Sequence, residues 1–229
     1  MSRSTYRSTL VAVLTAVSAA AIAPLAYAQA EQQELIGSAE KTFSNFVRDP
    51  DMKWFQQNVG RAKGVLIAPQ IVKAGFIFGG SGGRAVLLAK DAKTGKWVGP
   101  AFYALATASV GFQAGVSVSE AITLVMTEKG MNSLLSPSFK MGGDASVAAG
   151  PVGAGASANV GADLIAFARA KGVYGGLNLY GTVVNTSDDW NQAYYGKKVS
   201  SPDILIRMDV HNKGADKLLA EVTKAAGGK

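Results

Sequence analysis

From Gly64 onward the chain is cut into apolar runs too short and too glycine-broken to sustain long helices. "GVLIAP", "GFIFGG", "RAVLLAKD", "KWVGPAFYALATASVGF" and "GVSVSEAITLVMT" follow one another, rich in β-branched and aromatic residues. Glycine weakens helices and marks bends, bulges and close backbone approaches in sheets. "DAKTG", residues 91–95, predicts a hairpin turn between "AVLLAK" and "KWVG", and "EKGMNSLLS", 128–136, one brief helix ended near Pro137. Residues 145–184 then return to long stretches of tiny residues, with Phe167, Tyr174, Leu177, Leu179 and Val183 as candidate anchors.

Helical patterns lie mainly on the flanks. Leu35, Ala39, Phe43, Phe46 and Val47 form an apolar stripe over 31–47, closed by Asp49-Pro50. That stripe is expected to pack on the core rather than lie in a membrane interface. A second short helix over 51–59, with Asp51 as its cap, presents Met52, Phe55 and Val59 on one face, with Trp54 beside it. "SDDWNQAYYG" predicts a helix capped by Ser187 or Asp188, and "NKGADKLLAEVTKAA" a last helix with Ala215, Leu218, Leu219 and Val222 inward. The expected fold is one α+β domain: a curved, largely antiparallel β-sheet or partial barrel packed by N- and C-terminal helices. The competing architecture is a small outer-membrane barrel, which the intervening amphipathic helices disfavour.

Gly80, Gly82 and Ala85 fit the G-x-G-x-x-A form of a dinucleotide-binding turn, as do Gly153, Gly155 and Ala158. Such a turn requires a helix next and an acidic residue about twenty positions on. "AVLLAKDAKTGKW" instead reads as a strand and a hairpin turn. The glycines are assigned to bending a sheet, and no cofactor is expected.

The N-terminus has its own logic. Arg3 and Arg7 precede an uncharged apolar run, and Pro24, Ala26 and Ala28 supply a helix break and a small-x-small site. Residues 1–28 are expected to be a secretory signal peptide, leaving 29–229 as a single domain in the periplasm. Without cysteine there is neither a lipid-anchor cysteine nor a disulfide framework. Loss of Arg3 and Arg7 lowers the net charge from +7 to +5, which permits an anionic partner without demanding one.

Chemistry is sparse. His211 is the sole histidine and lies beside the last helix, where a surface or capping role suits it. Asp188-Asp189 suits a helix start, and a carboxylate site would have to be assembled from distant Asp144, Asp163 and Asp203. No enzymatic activity is expected, and no metal site. Basic residues offer more: "RAKGV" occurs at 61–65 and again at 169–173. Arg61, Lys63, Arg169 and Lys171 are expected either to gather on one rim facing phosphate headgroups or only to keep strand ends soluble. Nucleic acid is not expected as a partner, since the charge is modest and no such module is present.

Five ordered blocks carry a family resemblance: Lys63-Gly64-Val65, the run Lys73 to Gly83, Pro100-Ala101-Phe102-Tyr103, Gly150-Pro151-Val152-Gly153 and Lys171-Gly172. Over roughly Lys41 to Leu205 the sequence resembles the SYLF lipid-binding domain family. Eukaryotic members bind phosphoinositides, and some couple membranes to actin through other segments; exported bacterial members are less defined. The resemblance implies affinity for anionic phospholipid or another amphiphile, with Lys63, Lys73, Arg84, Arg169 and Lys171 as headgroup candidates beside Arg61 of the first "RAKGV". This chain departs from the eukaryotic pattern in lacking an SH3 or FYVE module. The expected location is the periplasm, with peripheral attachment to the outer or inner membrane, and the alternative expectation is a structural or protein-interaction module of the periplasm or outer membrane without direct lipid binding. Intact mass of protein recovered from the periplasm is expected to start at Gln29, or as runner-up Glu31; a full-length cytoplasmic mass would refute export.

Overall fold

The structure, a computed structural model, describes residues 29–75, 78–110, 115–153, 161–170, 173–174 and 179–227. The expected signal peptide and the Gly155 and Ala158 pattern lie outside the described residues.

Two prolines inside apolar runs decide where the sheet bends. Strand β1 (Gly64–Gly75) pairs antiparallel with both β2 (Phe78–Lys90) and β4 (Gly115–Val125). Pro69 has no N–H for the ladder, and both pairings shift register around it, between Ile67 and Gln70 and between Ala68 and Ile71. Pro100 does the same in β3 (Trp97–Val110), where the pairing with β2 shifts between Leu87 and Ala89. Gly99, which precedes it, has φ +123. The bends expected of the glycines thus fall at two prolines, while Gly80 and Gly82 keep regular register within β2.

Shorter strands complete the sheet: β5 (Ser138–Lys140), β6 (Val147–Ala149), β7 (Leu164–Ala170), β8 (Val173–Tyr174) and β9 (Val183–Thr186). The order is β5-β9-β3-β2-β1-β4-β7-β6, with β8 also on β7, and every pair is antiparallel except β6 with β7. Connectivity forces curvature. Laid flat, eight strands would separate the outer two by about 34 Å at the usual strand spacing. Yet β5 and β6 are joined by residues 141–146 alone, which can span at most about 25 Å. That link is itself folded back, with Gly142 N–H donating to the Ala145 carbonyl at 2.7 Å. The sheet therefore curls, bringing β5 and β6 round toward each other as a half-barrel.

Strand alternation feeds two cores. Val65, Ile67, Val86, Leu88, Phe102, Ile122, Leu124, Ile165 and Phe167 face one side. Leu66, Ala68, Ala85, Leu87, Ala101, Tyr103, Ala121, Val125 and Leu164 face the other. On the first side lies helix α1 over 29–48, burying Ile36, Ala39, Phe43 and Phe46, while Leu35 and Val47 are only partly covered. Helix α2 (Lys53–Asn58) follows a 3-10 turn that Asp49 caps, accepting from Asp51 N–H at 2.9 Å; Asp51, the expected cap, is the donor instead. Phe55 of α2 is the hub, meeting Phe43 at 5.8 Å, Phe46 at 6.2 Å and Phe167 at 5.5 Å, all edge-on.

The second core contains helix α3 (Glu128–Leu135), through Met131 and Leu134, and the π-helical turn Asp203–Arg207, through Ile204 and Leu205. The N-cap of α3 is Thr127, whose hydroxyl accepts from Gly130 N–H at 3.1 Å and donates to Asp163 at 2.5 Å. Helix α4 (Asp188–Tyr195) and helix α5 (Asp216–Ala225) return to the first side, Tyr194 reaching Phe102 at 5.2 Å and Leu218 and Val222 being buried. Ser187 makes no side-chain cap to α4. Helices cover the part of one sheet face that holds the first core and chain fills the second core on the other, so the membrane-barrel alternative is not what forms.

Gly80, Gly82 and Ala85 all lie inside β2, with no helix following, so they form no dinucleotide turn. Phe46→Ala removes a fully buried ring and is expected to cost about 3–5 kcal/mol by denaturant unfolding; an unchanged midpoint would place α1 off the core.

Candidate functional site

The bulge at Pro69 changes which side chains of β1 meet the helices. Before it, Val65 and Ile67 point toward α1; one residue is then added, so Gln70, Val72 and Ala74 point that way instead. Gln70 pairs with Arg84, and Ile71 drops into the second core. Across the sheet the same face continues with Ala104 opposite Arg84, and Glu120 opposite Arg169. Arg84, Gln70, Glu120 and Arg169 thus form a polar row across β2, β1, β4 and β7.

Below that row the sheet is covered by helices. Above it, toward the β1–β2 and β3–β4 ends, β1 to β4 run on, and among the described residues no helix covers this face. Val116 is 70% exposed, Val118 44% and Val72 39%, and Ala74, Ala106 and Ala108 are exposed beside them. Val72 pairs with Val118, and Ala74 with Val116, so the valines and alanines form one continuous apolar strip. The opposite face carries Lys73, Ser81, Thr107, Ser117 and Ser119, and Thr107 is hydrogen-bonded to Thr182 at 2.7 Å. The extension is amphipathic by strand alternation alone.

Where the bare face meets the helices lies an open groove of about 500 Å³, lined by Leu35, Gln70, Val72, Gly82, Arg84 and Ala104. Arg84 is its cation. The guanidinium stacks on Trp190 at 3.8 Å and one N–H reaches the Ser187 hydroxyl at 3.4 Å. The stack holds the charge in place, and among the described residues no carboxylate pairs with it.

Arg169 is differently placed. Its Nε donates to Glu120 at 2.7 Å, a second N–H reaches the same oxygen, and Asp49 lies 3.6 Å away. Glu120 also accepts from Thr42 of α1 at 2.8 Å. This half-buried cluster ties α1 and the α1–α2 turn to β4 and β7. The remaining candidates do not converge on these two. Lys63 pairs with Glu128 at 2.6 Å, and Arg61 donates to Asn58 at 3.1 Å, both at the opposite end of β1. Lys63 N–H bonds Val125, five positions along β4 from the Arg169 partner Glu120, about 17 Å away. Lys73 is exposed on the other face of the extension. Lys171 lies outside the described residues. The two "RAKGV" segments therefore do not bring Arg61, Lys63 and Arg169 onto one rim.

The three carboxylates considered for chemistry each serve the local backbone. Asp144 accepts from Lys140 N–H at 2.7 Å, and Asp203 from Ser200 N–H at 2.7 Å. Asp163 takes Thr127 and both the N–H and hydroxyl of Ser146, and these bonds, Thr127 foremost, hold its carboxyl at about 2, below the ordinary range. His211 is exposed and 2.9 Å from Asp216. Among the described residues no group of three or more His, Cys, Asp or Glu could hold a metal ion. Sequence reasoning missed the valine strip, Gln70 and Trp190. The signal was the alternation in "ALATASV" and "GVSVSE", together with a proline inside β1.

A curled sheet with one end left bare and apolar beside a fixed cation is the build of a binding module. The chain belongs to the Ysc84, or SYLF, family: the family described as "Las17-binding protein actin regulator" matches residues 106–225. It is 33% identical over 152 residues to Protein YSC84 of Saccharomyces cerevisiae, covering 63% of this chain and 32% of that one. LAS seventeen-binding protein 3 of the same yeast is also 33% identical over 152 residues, 33% of its length. SH3 domain-containing YSC84-like protein 1 of Homo sapiens is 26% identical over 152 residues, covering 64% of this chain and 44% of the relative. The aligned part is thus a third to under half of these relatives.

Proposed function

We propose that this chain is a non-enzymatic, exported protein of the cell envelope that binds an anionic phospholipid or a similar amphiphile. The observation that carries the reading is the groove, where an unpaired, stacked arginine stands at the edge of an apolar floor. An amphiphile needs both in one place. The groove volume is that of an ordinary small-ligand site. Arg84 supplies the headgroup contact and Lys73, exposed on the same extension, adds to the field. Arg169 supports the site by holding α1 rather than by meeting the ligand. Export rests on Arg3, Arg7, the apolar run and the Ala26–Ala28 site. Among the described residues no helix is long and apolar enough to cross a membrane, which fits peripheral attachment.

A second reading is favoured by the names of the relatives, one of which is a LAS seventeen-binding protein and another an SH3 domain-containing protein. On it the module binds a protein of the envelope, with the basic and apolar surface as its contact.

Vesicle sedimentation separates the two. The protein is expected to sediment with phosphatidylglycerol vesicles in preference to phosphatidylcholine, less so at high salt. Changing both Arg84 and Lys73 to glutamine is expected to weaken that binding roughly thirtyfold, at about 1 kcal/mol per basic residue, and to flatten the salt dependence. A melting curve of the variant checks that the fold survives. Equal binding by parent and variant would remove the Arg84 headgroup contact and the Lys73 contribution to the field; no binding by the parent would overturn the lipid reading.

A further inference from the structure

The groove does not account for the whole of the bare face. Val116, the most exposed of the strip, is not among the residues that line the groove. Neither are Val118, Ala106 or Ala108. Soluble surfaces do carry exposed valines singly, but these are cross-strand neighbours on one face of a four-stranded extension. By strand register, the described positions on this face of β1 to β4 beyond the polar row are valine, alanine, glycine and, at the end of β2, Phe78. Charge begins again only at the row itself.

We propose that this strip is the surface by which the protein seats itself on a lipid layer: Val72, Ala74, Ala106, Ala108, Val116 and Val118 enter the acyl boundary. The row of Arg84, Gln70, Glu120 and Arg169 then lies at headgroup level. This deepens the amphiphile reading and rests on it. Three observations select a lipid surface as the occupant. The polar row crosses four adjacent strands at one height, so the change from charged to apolar is a line, as a membrane interface requires. The cation left unpaired on that line is Arg84, which complements anionic headgroups, while the only acid on it, Glu120, is already neutralised by Arg169. The strip is also small: about 19 Å across four strands and roughly 10–17 Å along them, or about 200–300 Å². A stable contact between two copies buries about 800 Å² on each, so this area alone is too small for a dimer. Small side chains on a flat sheet present a floor that flexible acyl chains can cover, and Arg84 need move little to reach a phosphate.

The chain has no cysteine, so a single engineered one can be labelled cleanly in the full-length protein. Val116→Cys carrying an environment-sensitive fluorophore reports on the strip. Ile206→Cys, 53% exposed on the π-helical turn, is the control. With phosphatidylglycerol vesicles the label at 116 is expected to shift to the blue and be quenched by lipids brominated along the acyl chain, while the label at 206 does neither. The double variant Val116→Asp and Val118→Asp, at two exposed positions, is expected to lose at least tenfold in vesicle affinity with an unchanged melting temperature. If the parent binds vesicles but the label at 116 stays in water and the double variant binds equally, the strip is not the docking surface and the groove reading stands alone. If the parent binds no anionic vesicle, both readings fall together. If the label shifts without lipid, in step with a doubled mass by light scattering, the strip is covered by a second copy and the proposal is overturned.

Discussion

Pro69 sits in a strand that has long partners on both sides, and it has no N–H to give either of them. The ladder adjusts by adding a residue, and the kink drives the Gln70 carbonyl against the neighbouring strand at Gly83. Only the absence of a side chain at Gly83 lets that happen, because a Cβ there would overlap the Gln70 carbonyl. Everything beyond depends on this pair. Without the added residue Ile71 and Lys73 would face α1, and Val72 and Ala74 would point into the second core. With it, the apolar core below and the apolar strip above share one face, divided by the polar row.

The polar row has two halves with different tasks. At its β4–β7 end, charge is spent internally: Arg169, Glu120, Asp49 and Thr42 fasten helix to sheet. A half-buried pair of this kind contributes less than its attraction implies, because desolvation offsets the gain, but losing one partner strands the other. At its β2 end, Arg84 leans on an aromatic ring and keeps most of its donors for something else. The matched relatives carry the aligned region as one part of longer chains.

Much of the fold was legible in the sequence. The glycine-broken runs became the strands, "DAKTG" became the β2–β3 turn with Asp91 accepting from Thr94 N–H at 2.7 Å, and the Phe43–Phe46 stripe was buried as its spacing implied. The half-barrel follows from short chain links that any reader can count. The site was harder. Strand alternation assigns faces only while the register holds, and a single bulge reverses the assignment for every residue after it. The basic residues suffered from the opposite problem. Arg169 and Arg84 look alike as letters, but one finds Glu120 on the neighbouring strand and Asp49 in the α1–α2 turn, the other a tryptophan from a helix about a hundred residues on, and only the folded chain shows which. Caps were misplaced for the same reason: Ser187 is taken by Arg84 rather than by its own helix.

The bulge sets which way the strip faces, and two adjacent glycines test it within one strand. A Cβ on Gly82 would sit at an ordinary 3.5 Å from the Leu105 carbonyl, whereas one on Gly83 collides with backbone. In urea unfolding, Gly82→Ala is expected to be neutral or slightly stabilising, since alanine loses less chain freedom on folding. Gly83→Ala is expected to cost roughly 2 kcal/mol or more. Equal stabilities for the two variants would mean that Gln70 does not press on Gly83, and that the strip above the polar row faces some other way.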